Sequence, residues 1–374
     1  MRVLQKGLGT ERMEIAIIDA DLIGRKNHRF PNLACMKLSG WYKSQGAEVT
    51  LKQNYLDIDL YDKVFISKVF TDTPCPKEIL ELPNVEYGGT GFFYDKAPKL
   101  SSEIEHSFPD YHLYDDFVKA QQAQGVRKSA LAYYTDYSIG FLTRGCFRKC
   151  PFCVNKNYSQ VLSHSPLSEF VDLNRKKICL LDDNFLGCAN WKNLLSELQT
   201  TNKPFQFKQG LDVRLLTPEK CQILFSSKYD SAYIFAFDNI ADSASIIEKL
   251  KLIRKYSQTI IPVFYCFCAF DRNNIWDKSF WLSDIRDLFI RIKILGSFGC
   301  LPYIMRYKRY LDSPYKTIYI NAARWCNQFS FFKKMTFVEF CTKSSKSYAK
   351  AIETFLLNFP DFTELFSTVH FRKE

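Results

Sequence analysis

The 374-residue sequence contains no apolar run approaching the roughly 18 residues that a membrane-spanning helix needs. Its first residues, Met1 to Arg12, lack the apolar core of a signal peptide. The expectation is therefore a cytoplasmic protein with no membrane partner. Met13 stands directly before a strand-like run, Glu14 to Asp19, so the preceding residues are either a disordered extension or lie ahead of the true start. No internal repeat or low-complexity tract is present, and no repeat architecture is indicated. A disulfide framework is missing too: the thirteen cysteines are odd in number and unevenly spaced. Without an export signal, reduced thiols and metal ligation are the expected uses.

What is there fits a folded chain, with 47% hydrophobic and 24% charged residues. The length allows two domains, or one barrel plus an extra layer. A formal charge of +11, from 51 basic and 40 acidic residues, suits a nucleic acid or an acidic electron carrier as partner, or serves solubility alone.

Strand and helix alternate at once. Glu14 to Asp19 reads as a buried strand, Asn32 to Gln45 as a helix, and Val64 to Val69 as a second strand followed by the turn Thr-Asp-Thr-Pro. Asn84 to Tyr87 then leads into Gly88-Gly89-Thr90-Gly91. This is a small Rossmann-like layer over residues 1–94. From 95 to 136 the periodicity weakens, which predicts a connecting segment on the surface of both domains. Strand candidates follow at Tyr137–Leu142, Ile178–Leu181, Phe205–Lys208, Ala232–Phe237, Ile260–Phe267 and Leu301–Met305. Helix-like stretches lie between them, Trp281 to Leu295 being the clearest, and Thr217-Pro218-Glu219 opens another. Six successive units over 137–310 imply a parallel sheet curved into a partial TIM-like (β/α)6 barrel, with the chemistry at the strands' C-terminal ends. Residues 311–374 read as mostly helical. The fold class is α/β.

The strongest local signal is Thr143-Arg144-Gly145-Cys146-Phe147-Arg148-Lys149-Cys150-Pro151-Phe152-Cys153, directly after the first of these strands. A C-x3-C-x2-C loop brings three thiolates to one side of a short wrapped backbone, which suits three corners of a four-iron four-sulfur cluster and leaves the fourth iron open. Zinc is the competing reading, but structural zinc wants four ligands, and the nearest fourth candidate, His164, matches no zinc spacing. Three buried core cysteines are the plainest alternative.

This loop, with aromatic Phe152 before the last cysteine, resembles the signature of the radical S-adenosylmethionine superfamily, and the similarity extends over roughly residues 137 to 310. The resemblance implies a cluster on Cys146, Cys150 and Cys153 whose open iron is chelated by the amino and carboxylate groups of S-adenosylmethionine. One electron then cleaves the sulfonium bond to give methionine and a 5′-deoxyadenosyl radical, which abstracts hydrogen from a substrate. The cofactor carries the difficult chemistry, and the protein binds, orients and excludes water.

Further positions follow from the same resemblance. Asp182 and Asp183 stand where the family often carries a Gly-Gly-Glu-type motif; they face the methionine ammonium or else cap backbone N–H groups. Gln209, Asp212 and Arg214 follow the third strand, where the family meets the ribose and the methionine carboxylate; an internal Asp212–Arg214 ion pair is the alternative. Asp238 and Asn239 end the fourth strand, lining the site or capping the next segment. Arg144, Arg148, Lys149 and Lys156 offset cluster charge, dock a reducing partner such as a flavodoxin or ferredoxin, or are simply solvated. Arg306-Tyr307-Lys308-Arg309-Tyr310, with Arg324 and Lys333-Lys334, mixes cations and rings as an RNA-binding surface does; an ordinary barrel rim is the preferred reading.

The first domain resembles the cobalamin-binding domains fused to many family members, but Asp19-Ala20-Asp21-Leu22-Ile23-Gly24 places aspartate where their D-x-H-x-x-G motif has histidine. A carboxylate is a poor cobalt ligand of this type, so a retained scaffold is the preferred reading, with cobalamin bound without a protein ligand as the alternative. Gly88 to Phe92 admits a ligand close to the backbone or forms a tight turn, and His28 is a ligand or an ordinary histidine. Radical tRNA methylthiotransferases need three more cysteines in this domain, where only Cys35 and Cys75 lie. Cys179, Cys188, Cys221, Cys266, Cys268, Cys300, Cys326 and Cys341 read as packing. The expected function is a radical S-adenosylmethionine enzyme acting on an unidentified substrate. The alternatives are an iron–sulfur or zinc module without radical chemistry, and an RNA-modifying member of the superfamily.

Overall fold

The computed structural model describes residues 12–371, so most of the leading segment ahead of Met13 lies outside the described residues. The fold is α/β. Its strands are β1 (Glu14–Asp19), β2 (Glu48–Leu51), β3 (Lys63–Ser67), β4 (Val85–Gly88), β5 (Tyr137–Gly140), β6 (Thr143–Arg144), β7 (Leu162–Ser163), β8 (Lys177–Leu180), β9 (Phe205–Phe207), β10 (Ile234–Ala236), β11 (Val263–Cys268) and β12 (Leu301–Arg306). The chain forms two compact units. One holds the described residues through Leu142, with Cys153–Tyr158 and His164–Cys179; the other holds Thr143–Phe152, Ser159–Ser163 and everything from Leu180.

In the first unit β1 to β4 form a parallel sheet in the order β2-β1-β3-β4. Side chains alternate across a strand, so β1 feeds two cores at once. Ile15 and Ile17 pack with Cys35, Met36 and Phe65 on one face, and Ala16 and Ile18 with Val64, Ile66 and Ile79 on the other. The helix Leu33–Ser44 covers the first face and starts where the Asn32 side chain accepts from the N–H groups of Ala34 and Cys35.

Residues 95–136 are largely exposed, as expected of a connecting segment, but part of them is buried in the first unit. Tyr111, Leu113, Tyr114, Phe117, Val118, Leu131 and Tyr134 are buried in the same core as Ile15 and Ile17. They come from short helical turns rather than one periodic element, which hides their burial from a periodicity argument. The buried Arg175 fixes this segment: its guanidinium donates to the carbonyls of Tyr111, Tyr134 and Tyr137 and lies 4.2 Å from the Tyr111 ring centre.

The sequence expects a strand over Tyr137–Leu142, but β5 stops at Gly140. A Cβ on Gly140 would come within 2.3 Å of the Phe170 ring, so close packing sets this residue type.

In the second unit β10, β11 and β12 form a parallel triplet. The segment after β9 joins it through a parallel bridge, Leu211 to Phe235, and Lys208 N donates to Leu180 O at 2.8 Å. The crossover helices are Trp191–Thr200, Pro218–Phe225, Ser243–Tyr256 and Lys278–Ser297. The second begins as its sequence requires, with Thr217 as cap and Pro218 in the first turn. Buried Arg291 donates to Phe237 O at 2.7 Å and Phe267 O at 3.1 Å, tying together the chain ends just past β10 and within β11. Residues after 311 are helical, and Phe289, Trp325, Phe337 and Phe366 build their shared aromatic core.

Candidate functional site

The cysteine loop begins at β6, a two-residue strand paired antiparallel with β7. Asp182, fully buried just past β8, accepts from Thr143 N at 2.7 Å and Thr143 Oγ1 at 2.6 Å. Asp183 accepts from Gly145 N at 2.9 Å. Gly145 has φ +98°, a left-handed conformation that disfavours side chains, and Lys149 adopts φ +49° within the loop. The two aspartates therefore hold the loop's own donors, which is the backbone-capping geometry weighed from the sequence.

Cys146, Cys150 and Cys153 are half-buried. Asn184 Nδ2 donates to Cys146 Sγ at 3.5 Å, and Asn155 N donates to Cys153 Sγ at 3.4 Å. Of the other cysteines Cys75 is also half-buried, and the rest are buried. Cys266 and Cys300 are buried, and burial pushes their thiols up to about 12 and about 11, keeping them protonated and inert. Among the described residues no cysteine enters a disulfide, and no three His, Cys, Asp or Glu side chains already converge as a metal site. His164 faces Glu105 at 3.4 Å and Ser165 at 3.0 Å.

The donor chemistry nonetheless fits an iron–sulfur cluster: three accessible thiols on one irregular loop, with N–H groups directed at two of the sulfurs. Cations stand beside the loop as well. Arg148 Nε donates to Asp212 Oδ2 at 2.5 Å, and Arg214 Nε donates to Asp212 Oδ1 at 2.8 Å. Arg214 also reaches Asp242 at 2.8 Å. Burial works against the Arg214 charge, but Asp212, Asp242 and the Cys150 thiol outweigh it and hold its pKa above the ordinary value. The Asp212–Arg214 ion pair considered from the sequence is thus present, extended by Arg148 into a tether between loop and β9 edge.

Phe152 packs against Phe267 of β11 and Phe270, with ring centres 4.5 Å and 5.6 Å apart. Asp238 accepts from Phe267 N at 2.8 Å, and burial pushes its carboxyl above the usual range against the pull of that bond, Arg291 and Arg214. Asn239 caps the next turn by accepting from Ala241 N. Gln209 is exposed. Lys156 pairs with Asp95 at 3.0 Å. Arg306 lies over Tyr310, and Arg309 over Trp276 while pairing with Asp312.

The sequence singles out neither Asn184 nor Asp242. Asn184 stands in the same Leu-Asp-Asp-Asn-Phe run as the two aspartates, which is its only local signal; Asp242 has none, because its partner is 28 residues away.

In the first unit Asp21, at the position of the cobalt-ligating histidine in the resembled domains, is buried. Its carboxylate accepts from Val69 N at 2.6 Å, Phe70 N at 3.4 Å and Thr73 Oγ1. Gly88 to Phe92 forms the tight-turn alternative: Gly91 N donates to Lys68 O at 2.9 Å, and a Cβ on Gly89 would lie 2.3 Å from that oxygen.

No family model and no curated protein matches this chain. Among solved structures it is similar to a cobalamin-dependent S-adenosylmethionine radical enzyme, OxsB, with aqua-cobalamin and S-adenosylmethionine bound. The TM-score is 0.38 at 12% identity, over 96% of this chain and 57% of that one. The apo, selenomethionine-labelled form of OxsB gives 0.38 at 15% identity, over 79% of this chain and 49% of that one. The chain thus spans about half the length of these structures.

Proposed function

We propose that the chain is a radical S-adenosylmethionine enzyme whose Cys146, Cys150 and Cys153 hold a four-iron four-sulfur cluster. The observation that carries this reading is the C-x3-C-x2-C loop itself, set at the end of a strand and fastened by Asp182 and Asp183. When bound, the cluster supplies one-electron cleavage of S-adenosylmethionine and so a radical able to abstract hydrogen.

The chain's own residues prepare for that chemistry. Cys146, Cys150 and Cys153 would hold the cluster as thiolates, on an irregular loop without helix or long strand. Amide donors from Asn184 and Asn155 reach the sulfurs of Cys146 and Cys153. Arg148 and Arg214 oppose the negative charge of thiolates and cluster. Phe152, against Phe267 and Phe270, keeps water from one side of the loop. We read the units from β5 to β12 as a partial (β/α)6 barrel, supported by the parallel β10–β12 triplet and the Leu211–Phe235 bridge, and the first unit as Rossmann-like. Exposed Lys149 suits docking of an acidic one-electron donor, such as a flavodoxin or ferredoxin.

The test is anaerobic reconstitution with iron and sulfide, reduction, and product analysis with S-adenosylmethionine. The reading expects methionine and 5′-deoxyadenosine from the wild type, and neither from Cys150→Ala. A protein that binds iron or zinc but yields no 5′-deoxyadenosine is the binding module instead, and the proposal fails.

A further inference from the structure

We propose that the crevice at the C-terminal ends of β1 and β3 binds a small phosphate anion, free or carried as a monoester. Independently of the cluster, the sheet order β2-β1-β3-β4 puts β2 on one side of β1 and β3 on the other. The connections after β1 and after β3 therefore leave in opposite directions, opening the kind of crevice in which parallel α/β sheets hold their ligands. A cavity of about 490 Å³ lies there, walled by Gly24 to Arg29 from the first connection and by Phe70 and Asp72 from the second. Its size is that of a small-molecule site rather than a polymer groove.

The second wall is held in place from below. Buried Asp21 accepts from Val69 N, Phe70 N and Thr73 Oγ1, so the connection after β3 is anchored. A Cβ on Gly24 would come 2.7 Å from Thr73 Cγ2, which keeps the two connections in contact at the floor.

The lining is strongly basic. Arg25, Lys26 and Arg29 face a single lining carboxylate, Asp72, and Arg25 engages it at 2.7 Å while lying 4.2 Å from the Phe70 ring centre. Among the described residues Lys26 and Arg29 pair with no carboxylate. The Arg29 side chain is set by donating to His28 O at 2.7 Å and Lys26 O at 3.4 Å, which curls the segment around its own cations. His28 packs edge-on against Phe70, and burial, with Arg25 and Arg29 nearby, lowers its pKa against the pull of Asp21 and of a hydrogen bond to the Phe30 backbone. Two cations without a carboxylate partner, Lys26 and Arg29, lining an open pocket are the chemistry that recognises a phosphate with several acceptor oxygens.

The full chain is titrated at low salt with inorganic phosphate, a nucleoside monophosphate and a single-stranded oligonucleotide, followed by calorimetry and by melting temperature. Binding of phosphate alone assigns the site to the free anion; tighter binding of the monophosphate assigns it to the nucleotide. Either result supports the proposal if Lys26→Ala and Arg29→Ala each weaken it roughly tenfold, as loss of one charge-assisted contact should. Lys26 is exposed, so Lys26→Ala folds normally and keeps the test valid if Arg29→Ala loosens the segment. Failure of both small anions to bind, equal binding by the variants, or binding of the oligonucleotide only would overturn it. None of these outcomes depends on iron or on S-adenosylmethionine cleavage.

Discussion

Asp182 accepts from both donors of Thr143, and it is the residue through which β8 controls the start of the cysteine loop. Its replacement by alanine leaves a buried N–H and hydroxyl without an acceptor, at an expected cost of about 3 kcal/mol in denaturant unfolding. Less iron should be retained after reconstitution, because the loop entry loses its anchor. Asp19, in the other unit, has the opposite relation to charge. Burial, with the Asp21 charge added, pushes its carboxyl up to about 7 despite donors from Tyr114, Asp21 and Leu22. The folded state therefore binds a proton that the unfolded state releases near pH 4. Between about pH 4 and 7 stability falls as pH rises, by on the order of 4 kcal/mol in total, and the slope ends above the folded pKa. Asp19→Asn should flatten that part of the stability profile and leave the protein more stable at neutral pH. An unchanged slope would mean that Asp19 is not the group responsible.

At the scale of elements, the readable features were those with local causes. The strand Glu14–Asp19 has the expected bounds, and the helix expected over Asn32 to Gln45 runs Leu33–Ser44, because burial and an Asn cap are both written in short stretches. β2 carries no clear signal in the sequence: Glu48–Leu51 is a half-exposed edge strand of four residues, too short for its alternation to stand out. The expected strand over Ile260–Phe267 begins only at Val263, after Pro262, which has no N–H to give a ladder. In the candidate site the cysteines and Asp182–Asp183 were legible as one motif each, whereas the Arg148–Asp212 tether joins residues 64 positions apart and left no pattern. Arg291 is invisible for the same reason, its two carbonyl partners lying 54 and 24 residues away. Arg291→Met keeps the apolar stem but strands those carbonyls, and should destabilise by about 2–4 kcal/mol in chemical denaturation. The last helices are simpler: Thr336 and Glu339 form a reciprocal capping box, and Thr336→Ala should cost about 1 kcal/mol.

Across the whole molecule, each unit brings its own buried core and its own cluster of cations, one at the cysteine loop and one at the β1–β3 crevice. At the loop Arg148 and Arg214 are matched by Asp212 and Asp242, whereas at the crevice Lys26 and Arg29 pair with no carboxylate among the described residues. Sequence alone indicated the class of the fold through alternating strands and helices. It could not show that residues 95–136 complete the first core, since that depends on contacts made far along the chain. The central claim is a cluster fixed by three thiolates with one iron left for an exchangeable ligand. Its most direct test is the electron paramagnetic resonance spectrum of the anaerobically reconstituted, reduced protein, recorded with and without S-adenosylmethionine and accompanied by iron analysis. The account expects about four irons per chain and a cluster signal whose shape changes when S-adenosylmethionine is added. A protein without iron, or a signal indifferent to S-adenosylmethionine, would contradict it.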